Sequence, residues 1–472
     1  MHWEITGQGR GCEDHYASPP RVPLFPSCER RDLLWIFLIA FALRLAYAFI
    51  EQIPPRSDAR LYHSIALNLV QGLGFVESPG LPPEQDPAIR VSGPLFPMFL
   101  SGIYAVFGVR LWVVWIVQAF LGAITCLLLF ELAQKTFDTQ VARMAAILGA
   151  LTFDLIIYPA MLLMETLYLF LASMGLLILF RALSSESGWF YMASGVVLGL
   201  ATLTRPGVAA FVGIFCVWQA RRKLLRAVIP FMLGVALVLL PWAIRNYRIY
   251  HEFFLLPTNG GIAFWLGNNP EADGSFPNVF PDSIGAKLID KRFMLEQNRQ
   301  GYAEGFRFIR EHPGQYLRLL GLKLVKFLSP FRTNGWMFHM QGLDRIVSIM
   351  LSGLTSAILF SLGLLGMYLA CKKSNDRVTC GLLYAVSCLL GSLIYLTHAR
   401  YRLQIYPALL LFAAYGAREV WRCFMAPEGE GERRVVRRAL TVAVGIVLAA
   451  MTIDGLTNAA EILRRLGRLM AM

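Results

Sequence analysis

Residues 33–50 read "LLWIFLIAFALRLAYAFI", and residues 55–75 read "PRSDARLYHSIALNLVQGLGF". The first stretch is apolar over a length that can cross the hydrocarbon core of a membrane, which is about 30 Å thick. The second stretch carries an apolar residue at every fourth position, and polar residues occupy its other faces. That period predicts a helix lying in the membrane interface, with Ser57 as its N-cap and Asp58 in its first turn.

The composition of the whole chain is that of a membrane protein. Of its 472 residues, 56% are hydrophobic and 16% are charged, and the mean hydropathy is +0.53, which excludes an ordinary soluble protein. Segment 188–219, which Arg205 and Pro206 interrupt, is interpreted as two crossings, which gives eleven in all. The other nine apolar runs are 33–50, 112–134, 142–158, 162–182, 226–242, 346–371, 378–397, 403–423 and 438–456.

The distribution of Lys and Arg predicts the orientation of the chain. The net charge is +13, but the basic residues form short clusters between the apolar runs, as cytoplasmic loops do. The excess is therefore attributed to topology, and no nucleic acid partner is expected. The N-terminus is placed in the cytoplasm, and the first crossing is interpreted as an uncleaved anchor. On this topology none of the eight cysteines lies in an outer loop, so no disulfide framework is expected.

The sequence predicts two stretches on the outer side that are too long to be simple connections between crossings. Residues 51–111 follow the first crossing and contain the interfacial helix and a second short apolar piece, "SGPLFPMFLSGIYAVFG". Residues 243–345 begin with aromatic, Asn and Gly-rich sequence and become helical and cationic near 290–330, which predicts a small outer domain. The full division is a cytoplasmic tail at 1–32, a transmembrane catalytic module at 33–242, the outer region at 243–345, C-terminal crossings at 346–457 and a tail at 458–472.

Two acidic residues are candidates for catalysis. Asp58 stands at the start of the interfacial helix, where it is either a capping carboxylate or a general base at the boundary of water and lipid. Glu165, in "YPAMLLMETLYLF", lies at the edge of an apolar run. An acid in that position is costly and usually faces a cavity or a partner, and an ion pair with an arginine of another crossing is the alternative.

Several cations are predicted on the same outer side. Arg205 in "LTRP" and Arg245 in "PWAIRN" lie at outer helix ends, where snorkelling is the ordinary explanation. His398, Arg400 and Arg402 lie within five residues in "THARYRLQIYP", on the side that the positive-inside rule keeps poor in such charges. This cluster indicates anion binding, and the arginine fork suits a phosphate.

The sequence contains none of the common nucleotide or metal motifs. There is no HExxH, CxxC, Walker loop, GxGxxG or GxSxG pattern, and the seven histidines are scattered. No cofactor is predicted, and a divalent metal is left open. The stretch "NGGIAFWLGNN", with Asn259 and Asn268, is interpreted either as a turn-rich lid or as a loop that contacts sugar or lipid.

In seven short motifs the chain resembles the GT-C class of lipid-dependent glycosyltransferases. Specifically, it resembles the bacterial family 39 relatives of protein O-mannosyltransferases and of the lipid A aminoarabinose transferase, over about residues 33 to 420. The resemblance implies a GT-C fold with its site on the outer side, where Asp58 matches the catalytic acid of the first outer loop. Many relatives have two adjacent acids there, whereas Ala59 follows here, and Gln404 stands where relatives often have proline. The motifs are "SDARLYHSIALNLVQGLGF", "RVSGPLFPMFLSGIYAVFG", "YPAMLLMETLYLF", "GLATLTRPG", "PWAIRNY", "TNGGIAFWLGNNPEADG" and "ARYRLQIYPALLLFAAYG".

The resemblance implies transfer of a sugar from a polyprenyl-phosphate-linked donor. Asp58 is expected to take the proton of an acceptor hydroxyl during an inverting displacement, and Glu165 to bind a sugar hydroxyl or orient the base. Arginines are expected to stabilise the phosphate charge. The predicted substrate and lipid-phosphate residues are Arg205, Arg245, His398, Arg400, Arg402, Tyr62, Asn259 and Asn268.

The expected partners are the lipid-linked donor, membrane lipids, and an acceptor that is a protein, a lipid or a glycan. The expected location is a bacterial inner membrane, with the site facing away from the cytoplasm. A transporter or flippase of a lipid-linked sugar, or a non-catalytic carrier-binding protein, remains the alternative. Transporters commonly have repeated halves and bind substrate near the bilayer midplane, and neither feature is evident in the sequence.

Overall fold

The computed structural model describes residues 30–83, 85–90, 93–255, 258–274, 294–330, 342–373, 375–425 and 430–457. These residues form helices joined by turns, which confirms the all-α prediction. In chain order the helices are α1 (Arg30–Glu51), α2 (Asp58–Val70), α3 (Leu95–Phe107), α4 (Leu111–Thr136), α5 (Thr139–Leu151), α6 (Phe153–Ile157), α7 (Glu165–Ser185), α8 (Gly188–Thr204), α9 (Val208–Arg221), α10 (Leu225–Tyr250), α11 (Gly260–Gly267), α12 (Met294–Glu311), α13 (Pro313–Leu328), α14 (Gly342–Ala370), α15 (Asp376–Ile394), α16 (Ala399–Arg402), α17 (Tyr406–Met425) and α18 (Glu430–Thr457).

The described helices include seven that are long and apolar enough to cross a membrane, judged by length and composition: α1, α4, α7, α10, α14, α15 and α18. The bent pair α5 and α6 makes an eighth if it is counted as one span. Segment 188–219 forms two shorter apolar helices, α8 and α9, which are separated at Arg205. The interpretation of this segment as two crossings predicts such a separation. The total of eleven crossings stays a prediction.

Helices α8 and α10 approach closely because each presents a glycine to the other. A Cβ atom on Gly195 would lie 2.1 Å from the carbonyl oxygen of Phe231, and one on Gly234 would lie 2.1 Å from that of Met192. Small residues at a helix interface let two backbones meet and gain van der Waals contact, which drives helix association where the surroundings are as apolar as the side chains. These glycines therefore fix the packing of the helix pair that precedes and follows α9.

The run at 142–158, predicted as one continuous crossing, is broken in the structure. Helix α5 ends at Leu151 and α6 begins at Phe153, with an angle of 59° between the two pieces. Arg44 of α1 donates hydrogen bonds to the carbonyl oxygens of Gly149 and Ala150, at 2.9 and 3.4 Å. The last carbonyl groups of a helix have no partner within it, so a buried arginine stabilises the break.

The predicted interfacial helix is α2, and it packs against α3. His63 Nδ1 lies 2.8 Å from the hydroxyl oxygen of Tyr104, and the rings of Tyr62 and Phe96 meet edge to face at 5.5 Å. Ser57 occupies the N-cap position with a φ of 50°, but its side chain makes no capping hydrogen bond. Ser57 is thus the N-cap residue by position, as predicted, but its positive φ takes the backbone out of the extended region from which a serine side chain caps a helix.

Some sequence predictions fall outside the described residues. These are the tail at 458–472, nearly all of the tail at 1–32, and the parts of 243–345 at 256–257, 275–293 and 331–341. The described part of that outer region contains α11, α12 and α13, which agrees with the helical pattern predicted near 290–330. The six cysteines within the described residues are free thiols.

Candidate active site

Glu165 is the first residue of α7, and its side chain is fully buried. Its Oε1 atom accepts a hydrogen bond from Nε of Arg400 at 2.6 Å and another from Nη1 of Arg205 at 3.1 Å. A carboxylate at a helix N-terminus also gains from the helix dipole. The ion pair that the sequence offered as the alternative for Glu165 is thus present, and it involves two arginines from separate parts of the chain.

Asp58, the first residue of α2, joins this group from the solvent side. Its Oδ2 atom accepts a hydrogen bond from Nη1 of Arg400 at 2.7 Å, and half of its side-chain surface, 50%, is exposed. The side chain of Arg400 is 16% exposed and that of Glu165 is 0% exposed. One guanidinium group therefore bridges a buried carboxylate and an accessible one.

Arg400 lies in the single turn α16 and is held there by its neighbours. Its backbone N–H donates to Nδ1 of His398, the N-cap residue, at 3.2 Å. Arg205 donates from Nη1 to the carbonyl oxygen of Arg400 at 3.3 Å, and its guanidinium lies over the ring of Tyr401, 5.0 Å from the centroid. Arg205 thus touches both Glu165 and the backbone of Arg400, which locks the turn against the start of α7.

The four charged groups balance one another. Burial alone lowers the pKa of the Arg400 guanidinium, but the carboxylates of Glu165 and Asp58 raise it by more, so the group stays charged. Burial raises the pKa of the Tyr62 phenol, and Asp58 raises it further, so Tyr62 is neutral at the wall of the site. Two arginines and two carboxylates make a site with no net charge, in which the acidic residue open to solvent is Asp58.

Two glycines of the motifs permit this convergence. A Cβ atom on Gly93, in the motif that precedes α3, would lie 2.0 Å from the carbonyl oxygen of Thr204, the residue before Arg205. A Cβ atom on Gly207 would lie 2.0 Å from Oε1 of Gln404. Gln404 thus packs directly beside the Arg205 turn. A larger residue at Gly93 would push the backbone before Arg205 away, whereas one at Gly207 would displace the side chain of Gln404.

The buried end of the site has unused hydrogen-bonding capacity. The Oε2 atom of Glu165 and the hydroxyl of Tyr158 are buried and have no hydrogen-bond partner among the described residues. Buried polar atoms are normally paired. The arrangement therefore provides one acceptor and one donor that a polar ligand reaching this depth would satisfy.

Arg402, predicted to bind phosphate beside Arg400, points elsewhere. It is buried, donates to the carbonyl oxygens of Phe327 and Ser329, and lies over the ring of Phe360 at 5.6 Å. Residues two apart in a helical turn project about 200° apart, on opposite sides. The contacts of Arg402 do not include Asp58 or Glu165, and they tie α16 to the end of α13 and to α14.

Arg245, also predicted to bind phosphate, lies at the end of α10 among aromatic rings. Its guanidinium is 4.8 Å from the centroid of Trp242, 5.6 Å from that of Phe75 and 5.7 Å from that of Tyr250. It donates hydrogen bonds to Oδ1 of Asn246 and to the carbonyl oxygen of Phe75. No contact of Arg245 within the described residues reaches Asp58 or Glu165, so it forms a second cationic position separate from them.

Asn268, predicted to contact the substrate, forms its hydrogen bonds with residues other than Asp58, Glu165 and Arg400. It is fully buried, its side-chain nitrogen donates to the carbonyl oxygens of Phe264 and Ile394, and its Oδ1 accepts from Nζ of Lys323 at 2.9 Å. These contacts satisfy the amide, and the role of Asn268 as a substrate contact stays a prediction. Asn259 is the N-cap residue of α11 and makes no side-chain capping hydrogen bond.

Asp154 and Arg44 are among the buried ionisable residues of the helical bundle that sequence reasoning missed. Asp154 accepts hydrogen bonds from the hydroxyls of Ser352 and Tyr406 at 2.7 and 2.8 Å, and Arg44 stabilises the break of α5. Both interrupt apolar runs, so the rule that singled out Glu165 would have found them. Within the described residues there is no cluster of three or more metal-ligating side chains, and the divalent metal that the sequence left open gains no site there.

Comparison with known proteins gives one family match and several similar structures. Residues 91–244 match the family model described as dolichyl-phosphate-mannose-protein mannosyltransferase. The apo oligosaccharyltransferase of Archaeoglobus fulgidus is 15% identical with a TM-score of 0.50, over 89% of this chain and 55% of that one. No curated protein sequence matches the chain.

Two further solved structures are similar at lower scores. AglB from Archaeoglobus fulgidus, in complex with an inhibitory peptide and a dolichol-phosphate, is 16% identical with a TM-score of 0.48, over 89% of this chain and 55% of that one. ArnT from Cupriavidus metallidurans, bound to undecaprenyl phosphate, is 17% identical with a TM-score of 0.38, over 84% of this chain and 79% of that one. The chain spans about half the length of the archaeal oligosaccharyltransferases that it matches.

The helical bundle and the matched structure define an integral, multi-pass membrane protein of the GT-C fold class. Within that class the chain is similar, over residues 91–244, to the protein mannosyltransferase family, which confirms the resemblance predicted from its motifs. The matched segment contains Glu165 and Arg205, whereas Asp58 and Arg400 lie outside it.

Proposed function

We propose that this protein is a membrane glycosyltransferase that moves a sugar from a polyprenyl-phosphate-linked donor to an acceptor hydroxyl on the extracytoplasmic face. The observation that carries the proposal is the bridge in which Arg400 binds the half-exposed Asp58 and the buried Glu165. The solved structures of similar fold include one with a bound dolichol-phosphate and one with undecaprenyl phosphate. Those ligands agree with a lipid phosphate as the leaving group here.

The reaction needs a base more than it needs an acid. The acceptor oxygen attacks the anomeric carbon, the bond from that carbon to the phosphate oxygen breaks, and the phosphate leaves with the bonding electrons as an anion. The hydroxyl proton passes to Asp58, whose carboxylate is accessible. A positioned base contributes typically 10²- to 10⁴-fold to such a rate. A single displacement inverts the configuration of the sugar carbon.

One oxygen of Glu165 acts through the arginines, whereas its Oε2 atom remains an acceptor for a polar group that reaches it. Its side chain is fully buried, and its Oε1 atom is engaged with both Arg205 and Arg400. Of the two roles expected from the sequence, orientation of the base therefore has the better support. Glu165 holds Arg400, and Arg400 in turn holds Asp58 at the mouth of the site.

Arg245 supplies a second cationic position for the lipid phosphate. Its described hydrogen bonds go to an amide and a carbonyl oxygen rather than to a carboxylate, so a phosphate would not have to displace an acid from it. The aromatic rings around it are suited to hold a planar guanidinium. Tyr62, neutral and next to Asp58, is suited to contact the donor or the acceptor.

The charged groups favour transfer over transport. Asp58, Glu165, Arg205 and Arg400 meet where α2, α7 and α16 begin and where α8 ends, at one end of the bundle. A transporter binds its cargo near the midplane between repeated halves. A flippase therefore has less support than an enzyme.

The test uses the purified full chain in liposomes with radiolabelled polyprenyl-phosphate sugars and envelope fractions as acceptors. Wild-type protein is expected to release free carrier together with an acceptor-linked label. Asp58→Asn should insert normally but lose about 10²- to 10⁴-fold in rate. Asp376→Asn is the matched control. Asp376 forms a similar half-exposed ion pair with Arg222, in which the two charged groups are 2.7 Å apart, and this pair lies away from the site. Near-normal transfer by Asp58→Asn contradicts the proposed base, and intact carrier moved between leaflets identifies a flippase.

A further inference from the structure

Arg400 binds its two acids unequally. Its Nε edge faces Glu165, which is fully buried, whereas its Nη1 group faces Asp58, which is half exposed. Glu165 is also held by Arg205. A ligand arriving from solvent therefore meets the Asp58 side of the guanidinium first, and Asp58 is the partner that can leave without exposing a buried charge.

The ion pair between Arg400 and Asp58 engages the carboxylate oxygen that would accept the proton in the reaction. Oδ2 of Asp58 accepts from Arg400 at 2.7 Å, and a carboxylate oxygen engaged with a guanidinium is a poorer proton acceptor than a free one. An arginine fork binds phosphate at least as well as it binds a carboxylate. A donor phosphate that took the place of Asp58 would leave the number of anions around Arg400 unchanged.

We propose that the phosphate of the lipid carrier displaces Asp58 from Arg400, so that binding of the donor releases the catalytic base. This inference rests on the proposed function and adds an order to it: the donor binds first, and only then is the acceptor hydroxyl deprotonated. Glu165 and Arg205 stay in place during the exchange and keep Arg400 aimed at the ligand. Tyr62 and Tyr401, which lie beside the exchange, are phenols whose pKa values burial raises, so they add no charge.

The exchange also predicts how the product leaves. A sugar-linked phosphodiester carries one negative charge, whereas the free polyprenyl phosphate carries between one and two at neutral pH because its second pKa is about 6. The product therefore binds Arg400 more tightly than the donor does. Once Asp58 has passed the proton that it took from the acceptor on to water, its carboxylate returns to Arg400, competes with the product and helps to release it.

The test is a double-mutant cycle on binding of undecaprenyl phosphate, measured for the full chain in nanodiscs by native mass spectrometry. Asp58→Asn removes the competitor and should tighten binding roughly fivefold, as expected for a pair worth about 1 kcal/mol. Arg400→Gln should weaken binding about tenfold. In the Arg400→Gln background, Asp58→Asn should give no further gain in affinity, because the guanidinium for which Asp58 and the phosphate compete is gone.

Each outcome separates the inference from the proposed function. If Asp58→Asn tightens binding equally in both backgrounds, the gain is a long-range charge effect, and the proposed exchange is wrong. Weaker binding by the single variant Asp58→Asn would also contradict the exchange. No binding by the wild-type chain would overturn the proposed function as well. Asp376→Asn serves as the control and should leave binding unchanged. If Arg400→Gln fails to fold, Arg400→Lys replaces it, since it keeps the charge but loses the fork, and the gain from Asp58→Asn should then shrink.

Discussion

The Nε atom of Arg400 lies 2.6 Å from Oε1 of Glu165, although 235 residues separate the two in sequence. The contact joins the start of α7 to the short turn after α15. Both residues are nearly inaccessible to solvent. The pair thus links the start of α7 to the C-terminal part of the chain, and the proposed chemistry takes place on its exposed side.

Glu165→Gln should lose both stability and transfer. The substitution leaves Arg205 and Arg400 with Asp58 as their described counter-charge, and breaking a buried ion pair from one side costs about 3–5 kcal/mol. Thermal unfolding in detergent and the liposome transfer assay measure the two effects. Glu186→Gln is the control, because Glu186 pairs with Arg226 at an exposed position, where a pair is worth about 1 kcal/mol or less. Unchanged stability of Glu165→Gln would show that the pair is not structural.

Arg245→Ala should weaken binding of undecaprenyl phosphate about tenfold while the stability falls little. Arg245→Lys should recover part of the affinity, because it keeps the charge but loses the planar contact with Trp242 and Phe75. The measurement is native mass spectrometry in nanodiscs. Arg248→Ala, an exposed arginine on the same helix, should bind as the wild type does. If Arg245→Ala binds undecaprenyl phosphate as tightly as the wild type does, Arg245 does not contact the phosphate.

The stability of the protein should depend on pH through Lys323. Burial lowers the pKa of this ammonium from 10.5 to about 7. Below pH 7 both the folded and the unfolded chain hold the proton, and the folded state bears the full penalty of the buried charge. Between pH 7 and about 10 only the unfolded chain holds it, so this contribution to stability rises with pH and is lost as pH falls through 7.

Lys323→Met removes that dependence. The variant should be more stable than the wild type at pH 6, and this advantage should be smaller at pH 9, measured as the difference in Tm in one detergent. Lys372→Met, at an exposed lysine, should show the same difference at both values. If the difference in Tm between Lys323→Met and the wild type is the same at both pH values, Lys323 stays charged, held by Asn268 and the carbonyl oxygen of Leu393.

Gly93→Ala should disturb the site from a distance. Its Cβ would lie 2.0 Å from the backbone oxygen of Thr204, so the turn that carries Arg205 must shift, at a cost of about 1–3 kcal/mol. Transfer should fall along with the Tm. Gly213→Ala, in α9 with nothing within 4 Å of the added atom, is the matched control and should be neutral or slightly stabilising. Normal transfer by Gly93→Ala would show that the turn adapts.

Much of the architecture was predictable because it depends on local composition. The apolar runs are long enough to identify crossings without any tertiary information, and the fourfold period at 55–75 predicted α2. The break at Thr152 was not predictable in this way. It depends on Arg44 of another helix, which supplies hydrogen bonds that a continuous helix would make internally.

The sequence by itself determined the class of the protein, the two candidate carboxylates and a set of arginines suited to an anion. Only the tertiary structure decided which arginines meet the carboxylates. Arg400 and Arg402 are two residues apart in one turn, and their side chains project to opposite sides, so one reaches Asp58 and Glu165 while the other reaches the end of α13. A motif fixes the spacing of these residues, but the direction of the turn is set by Arg205, which binds the carbonyl oxygen of Arg400 from a helix end almost 200 residues earlier.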